Sequence, residues 1–285
     1  MRFPKTEKKF SLADTGRFLL KAACVFCCTC FLFTILWGLN YCRRPLERNL
    51  GYTVKAPNSK LLENMMEEQT EAVNRLCRKI VFRQSGSVYP GGFQKIKDRV
   101  SDGYIQLSEK IRFVRKTPVH PKALILSRLM SYTDISGIFI PFTYEPCVDS
   151  EYPEFVLAFN TAHECAHFQG FAKEDEANYI AYLANTENPD PYFQYSAHMM
   201  ALIYVSNALA QTDRTASNTI FKKLDSRAMG DLRSFNNFGK LHESPFQAIS
   251  DRINDSYLKL QGQKGIESYD GFVDLLAMGY DEKMR

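Results

Sequence analysis

A chain of 285 residues with 36 Lys and Arg against 32 Asp and Glu is close to charge balance, at +4, and is long enough to bury one core of about 230 residues behind an anchor segment. Much of the excess positive charge lies beside an N-terminal apolar run, and no basic stripe with interleaved aromatics is present, which excludes nucleic acid as a partner. Of the eight cysteines, Cys24, Cys27, Cys28, Cys30 and Cys42 fall in or beside that run; Cys77, Cys147 and Cys165 alone make no disulfide framework.

Residues 1–17 form a basic segment carrying Arg2, Lys5, Lys8, Lys9 and Arg17. Residues 22–39 then hold 18 positions without a charge. The stretch from 18 to 41 gives about 36 Å of helix, enough to cross a hydrocarbon core of about 30 Å, and is predicted to be one transmembrane helix. Lys21 suits one interface by snorkelling, and Trp37 and Tyr41 suit the other, with Arg43 and Arg44 just beyond. A signal peptide is the rival reading. Against it, the run is too long, stays bulky toward its end and lacks a small-x-small site before Asn40. Arg2, Lys5, Lys8, Lys9, Arg17 and Lys21 outnumber Arg43, Arg44, Arg48 and Lys55, so the positive-inside rule puts the N-terminus in the cytoplasm and residues 42–285 outside the cell membrane.

Beyond the span, Leu62, Met66, Val73, Leu76 and Ile80 trace a helical stripe over 58–80, and residues 86–92 read as a Ser/Gly/Pro loop. Residues 101–115 fit a helix, and 123–126 fit either a strand or the start of a helix. The run Gly137-Ile-Phe-Ile-Pro-Phe142 reads as a strand that Pro141 confines to a sheet edge. Such an edge can hold an extended peptide by strand addition, or be an ordinary strand of a small sheet. After the turn cluster Asn188-Pro-Asp-Pro191, a long apolar helix is predicted through Leu209. Residues 212–245 read as polar helix with loops; 253–260 and 269–278 read as two helices separated by a Gly-containing loop.

Between the edge strand and the long helix lies His163-Glu-Cys-Ala-His167, followed by Gly170 and Glu174-Asp-Glu-Ala-Asn178. Histidines four apart on a helix are about 40° from eclipsed, so His163 and His167 can share one ion. Glu164, about 100° round, can reach a water on that ion without being a ligand. A zinc ion in such a site lowers the pKa of water toward about 7 and polarises a carbonyl, while the glutamate takes the proton and later returns it to the leaving amine. Gly170 is predicted to stop the first helix and let the chain reverse into a second. On that second helix Glu174 and Asn178 share a face, so Glu174 is expected as the third ligand, with Glu176 as the alternative, and Asn178 is expected to orient a histidine from behind. Tyr192, Tyr195 and His198 are candidates to stabilise the oxyanion, each also explicable as a core or hydrogen-bonding aromatic. Cys165, about 200° from His163, is assigned to packing.

The pairing of His-Glu-x-x-His with a later Glu-x-x-Ala-Asn resembles the gluzincin peptidases, in which the corresponding glutamate is the third ligand. More closely, Leu126-Ser-Arg-Leu-Met-Ser-Tyr132, Ser136-Gly-Ile-Phe-Ile-Pro-Phe-Thr143, the zinc motif and Asp190-Pro-Tyr-Phe-Gln-Tyr-Ser196 resemble a bacterial family of unknown function described as predicted membrane zinc metallopeptidases. The resemblance extends to Trp37-Gly-Leu-Asn-Tyr41 upstream and to Tyr257-Leu-Lys and Ser268-Tyr269 downstream. It implies an integral-membrane, zinc-dependent endopeptidase and names no substrate. This chain departs from the family pattern, in which two further hydrophobic segments precede the span.

The expected fold class is α+β: one transmembrane helix, then a mostly helical zincin-like domain with a small sheet against the active-site helix. The expected function is peptide-bond hydrolysis with one Zn2+ per chain, the partners being a peptide or protein substrate and the lipid bilayer; the alternative is a zinc-binding membrane sensor with little or no hydrolysis. The motif lies far along the chain from the span, which speaks against an intramembrane protease. Substrate and oligomeric state are not legible in the sequence.

Overall fold

The computed structural model describes residues 12–53, 56–263 and 271–283. Arg2, Lys5, Lys8, Lys9, Lys55, Ser268 and Tyr269, which entered the topology and resemblance arguments, lie outside the described residues.

The chain is mostly helical. Helix α1 (Leu12–Leu36) is long and apolar enough to cross a membrane and is exposed over most of its length. It ends in a 3-10 turn (Gly38–Cys42), and a short helix α2 (Leu46–Leu50) leads into the domain. Helix α3 (Ser59–Leu76) begins where the Asn58 side chain accepts from Leu61 N, a polar cap ahead of a stripe that buries Leu62, Met66, Val73 and Leu76. Helix α4 (Gly92–Lys110) starts earlier than the periodicity suggested.

A hairpin pairs β1 (Val81–Arg83) with β2 (Gly86–Val88), and β2 occupies the first part of what read as loop. Its cause is tertiary: Asp231 Oδ1 accepts from Ser87 N at 2.7 Å, and a Cβ on Gly86 would lie 2.3 Å from that oxygen. A second sheet has the order β3 (Lys122–Ala123), β5 (Glu145–Val148), β4 (Gly137–Ile140). The strand predicted at 137–142 is therefore at an edge, four residues long, antiparallel to β5. Strand β5 gave no sequence signal, because Pro146 argues against a central strand. It is tolerated because β3 pairs only with Cys147 and Val148, leaving position 146 with one neighbour, Phe139. A short helix α5 (Ser127–Met130) follows β3.

The sheet packs on α6 (Glu154–Phe168), which carries the histidine motif. Gly170, at φ +90°, reverses the chain into α7 (Glu174–Glu187), as a glycine can without steric cost. Helix α8 (Pro191–Thr212) has Asp190 as its cap and Pro191 at its first turn, and packs against α3, α6 and α7. Phe155, Phe159, Phe193, Tyr195, Tyr104 and Met66 fill the centre. The polar region 212–245 resolves into α9 (Arg214–Phe221) and α10 (Ser226–His242), capped by Asp213 and Asp225, and the C-terminal helices are α11 (Pro245–Leu260) and α12 (Gly271–Lys283).

Candidate metal centre

Helix α6 is buried on nearly every side, so its polar residues must find partners inside the domain. His163 and His167 point toward the first turn of α7, where Glu174 Oε2 lies 3.2 Å from His163 Nε2 and 3.8 Å from His167 Nε2. The other ring nitrogens are tied from behind. His163 Nδ1 meets Asn178 Oδ1 at 2.8 Å and His167 Nδ1 meets the Phe171 carbonyl at 2.7 Å. A carbonyl oxygen only accepts, so Nδ1 of His167 carries the hydrogen and its Nε2 presents a lone pair inward. His163 has acceptors on both sides, Asn178 Oδ1 at Nδ1 and Glu174 Oε2 at Nε2, so its Nε2 donates to Glu174, and a bound metal ion would replace that proton. Two imidazoles and a carboxylate therefore converge, with ligand-type atoms within 4.8 Å of one another.

The electrostatics separate the two imidazoles. Burial works against protonation of His163, but its hydrogen bond and charge interaction with Glu174 outweigh this and leave its pKa raised. At His167 burial dominates and the pKa falls to about 4, so the ring is neutral. Glu164, on the same helix, is 4 % exposed, and burial pushes its pKa up to about 8. Its Oε2 has no hydrogen-bond partner. A buried carboxylate oxygen left unbonded needs a further partner, such as water or an ion. Strand β4 closes over it: a Cβ on Gly137 would sit 2.5 Å from Glu164 Oε1.

The segment that follows α1 forms another wall, although the sequence puts it far from the motif. Trp37 stands edge-on to His167 at 5.8 Å between ring centroids and lies 4.6 Å from Phe139 of β4. Arg43 Nη1 donates to the Gly170 carbonyl at 2.6 Å, satisfying a carbonyl just past the end of α6. Leu46 N donates to Glu176 Oε1 at 3.0 Å. Tyr41 and Tyr257 share a hydroxyl hydrogen bond of 2.9 Å. The Tyr257 phenol is raised by burial, and the charge of nearby Glu174 adds to the rise.

A family model described as "Protein of unknown function (DUF3810)" matches residues 2–277. The chain belongs to the DUF3810 family. No curated protein and no solved structure matches it.

In this DUF3810 protein His163, His167 and Glu174 could together hold a metal ion. Glu176 is engaged elsewhere, by Leu46 N and by Lys173 Nζ at 3.2 Å. Cys165 is fully buried in the core. The three oxyanion candidates on α8 are bonded to other groups. Tyr192 hydroxyl meets Ser87 Oγ at 3.3 Å, Tyr195 hydroxyl donates to Asp231 Oδ2 at 2.7 Å, and His198 Nδ1 meets Gln69 Oε1 at 2.7 Å. None of these partners belongs to the metal cluster. The residues that sequence reasoning missed at the site are Trp37, Tyr41, Tyr257 and Gly137. Their only signal was membership of the segments through which the family resemblance ran.

Proposed function

We propose that this DUF3810 protein is a membrane-anchored, zinc-dependent peptidase that hydrolyses peptide bonds. The observation that carries the reading is the convergence of His163, His167 and Glu174 beside Glu164, whose buried Oε2 is unbonded. Two imidazoles and one carboxylate are a donor set that suits a catalytic zinc site, which keeps a further position open for water or substrate. Bound there, zinc would supply Lewis-acid polarisation of the scissile carbonyl and acidify the attacking water. Glu164 removes a proton from that water as its oxygen bonds to the carbonyl carbon, and returns the proton to the amine nitrogen as the C–N bond breaks. Asn178 and the Phe171 carbonyl hold the imidazoles in the required tautomer. The Tyr257 hydroxyl, which shares a hydrogen bond with Tyr41 and feels the charge of Glu174, is the donor we assign to the developing oxyanion, alongside the earlier candidates on α8. The edge strand β4 next to Glu164 suits an extended peptide.

We read α1 as a retained anchor with a cytoplasmic N-terminus and an extracytoplasmic domain. The packing of Phe33, Trp37 and Arg43 onto the domain supports retention, since a cleaved leader would take part of the site wall with it.

The test is metal content by mass spectrometry on the detergent-purified chain, followed by incubation with a peptide library. One zinc per chain, lost in His163→Ala and Glu174→Ala, with cleavage abolished in Glu164→Gln while zinc stays bound, is the expected result. Absence of zinc in the wild type would overturn the reading. Zinc without cleavage would favour the non-hydrolytic sensor.

A further inference from the structure

Helix α11 places its apolar residues on the wrong side for a helix that packs on a protein core. Phe246, Ile249, Ile253 and Leu260 recur at helical spacing and are 64 %, 54 %, 66 % and 84 % exposed. The side turned toward the domain carries Gln247, Ser250 and Asn254, with Leu258 its one buried residue. Asp251, Arg252, Asp255 and Lys259 lie round the helix from the apolar stripe. Apolar residues on one side and charges on the other, on a helix only loosely attached to its domain, is the pattern of a helix lying in a bilayer interface.

Position settles which apolar medium covers it. Tyr257 flanks the stripe, and its ring lies 6.4 Å from Phe33 in the last turn of α1. The stripe thus starts where α1 meets the domain. At its other end, Ser244 Oγ donates to the Tyr132 carbonyl at 2.6 Å, which ties α11 to the turn and helix α5, where Ile125, Leu126 and Leu129 are also exposed. Scattered exposed apolar side chains need no explanation, but a set joined through three elements to the end of an apolar helix does.

We propose that the outer face of α11, together with the Ile125–Leu129 tip, docks on the surface of the lipid bilayer that α1 enters. The proposal rests on the reading of α1 as a retained anchor, and does not depend on the hydrolytic chemistry. Docking holds the metal centre against the lipid surface, because Tyr257 on α11 bonds Tyr41 and Gln263 just past its end accepts from Glu174 N. Substrates would then be peptide segments at the membrane surface.

The experiment uses the full chain in phosphatidylcholine nanodiscs, with and without brominated acyl chains. Trp37 is the one native tryptophan, so the wild-type emission is subtracted from that of Ile253→Trp, Ile249→Trp and Ala248→Trp. The added tryptophan at 253 and 249 is expected to emit blue-shifted and to lose most of its emission to bromine, while that at 248, on the charged side, stays red-shifted and unquenched. Water-like, unquenched emission at 253 and 249 would overturn the docking. Blue-shifted emission without quenching, in discs holding two chains, would overturn it in favour of a second copy. A chain that fails to enter the discs would refute the anchor, and the docking with it.

Discussion

Replacing Gly137 by Ala tests the placement of Glu164 without touching a ligand, a charge or a polar atom. The backbone at 137 lies outside the left-handed region, so alanine is tolerated by the chain itself. The added Cβ would stand 2.5 Å from Glu164 Oε1 and 2.8 Å from its Cδ and Cγ, whereas ordinary contact begins at 3.4 Å. The carboxylate must therefore retreat by about 0.9 Å, the difference between 3.4 and 2.5 Å. A displacement of about 1 Å of a reacting group costs roughly 100-fold in rate, about 2.7 kcal/mol on the barrier. Metal content should not change, because the three atoms nearest the added Cβ all belong to Glu164, which is not one of the proposed ligands. The assay is turnover of whichever library peptide the wild type cleaves, with zinc measured on the same samples. Wild-type turnover in a folded, zinc-loaded Gly137→Ala protein would refute the placement of Glu164 as the proton carrier.

Asn178→Ala removes the acceptor behind His163 and should weaken metal binding about 10- to 100-fold, read by competition with a chelating dye; unchanged affinity would take Asn178 out of the site. Tyr195→Phe should leave turnover intact and cost about 1–3 kcal/mol of stability, since buried Asp231 Oδ2 loses its donor. Tyr257→Phe should instead keep the metal and lower kcat by about 10²–10³-fold; the opposite pattern in this pair of variants would restore Tyr195 as the oxyanion donor. Burial, with help from Arg75 and Lys283, lowers the His198 pKa from 6.5 to about 4. A depressed pKa means the unfolded chain binds the proton first, so stability present above pH 6.5 is lost as pH falls toward 4, by up to about 3 kcal/mol. His198→Gln should flatten that part of the thermal-stability profile relative to wild type; equal slopes would refute the assignment.

The family resemblance and the local spacing carried much of the site. A four-residue interval on a helix puts His163 and His167 on one face whatever surrounds them, and Gly170 with Glu174 and Asn178 announced the reversal and the face of the next helix. The apolar run at 18–41 was equally plain, because length and absence of charge are one-dimensional properties. By contrast, β5 and the β1–β2 hairpin escaped, being three- and four-residue strands whose stability comes from neighbours such as Asp231, Phe139 and Val148. The α8 aromatics were candidates because a donor opposite the metal is useful to an oxyanion, yet their polar atoms meet Ser87, Asp231 and Gln69, partners that no interval could predict.

The amino-acid sequence by itself therefore determined the metal-type cluster, its helix-reversal-helix frame and the apolar N-terminal helix, since each is encoded within a short window by helical period, glycine freedom or hydropathy. Only the tertiary structure decided what encloses that cluster. Trp37 and Arg43 at the end of the apolar helix, Gly137 on the edge strand and Tyr257 on α11 come from segments more than 25 residues from His163 along the chain. Their meeting depends on the packing of whole helices and a three-stranded sheet around α6, and long-range packing leaves no periodic trace in the sequence.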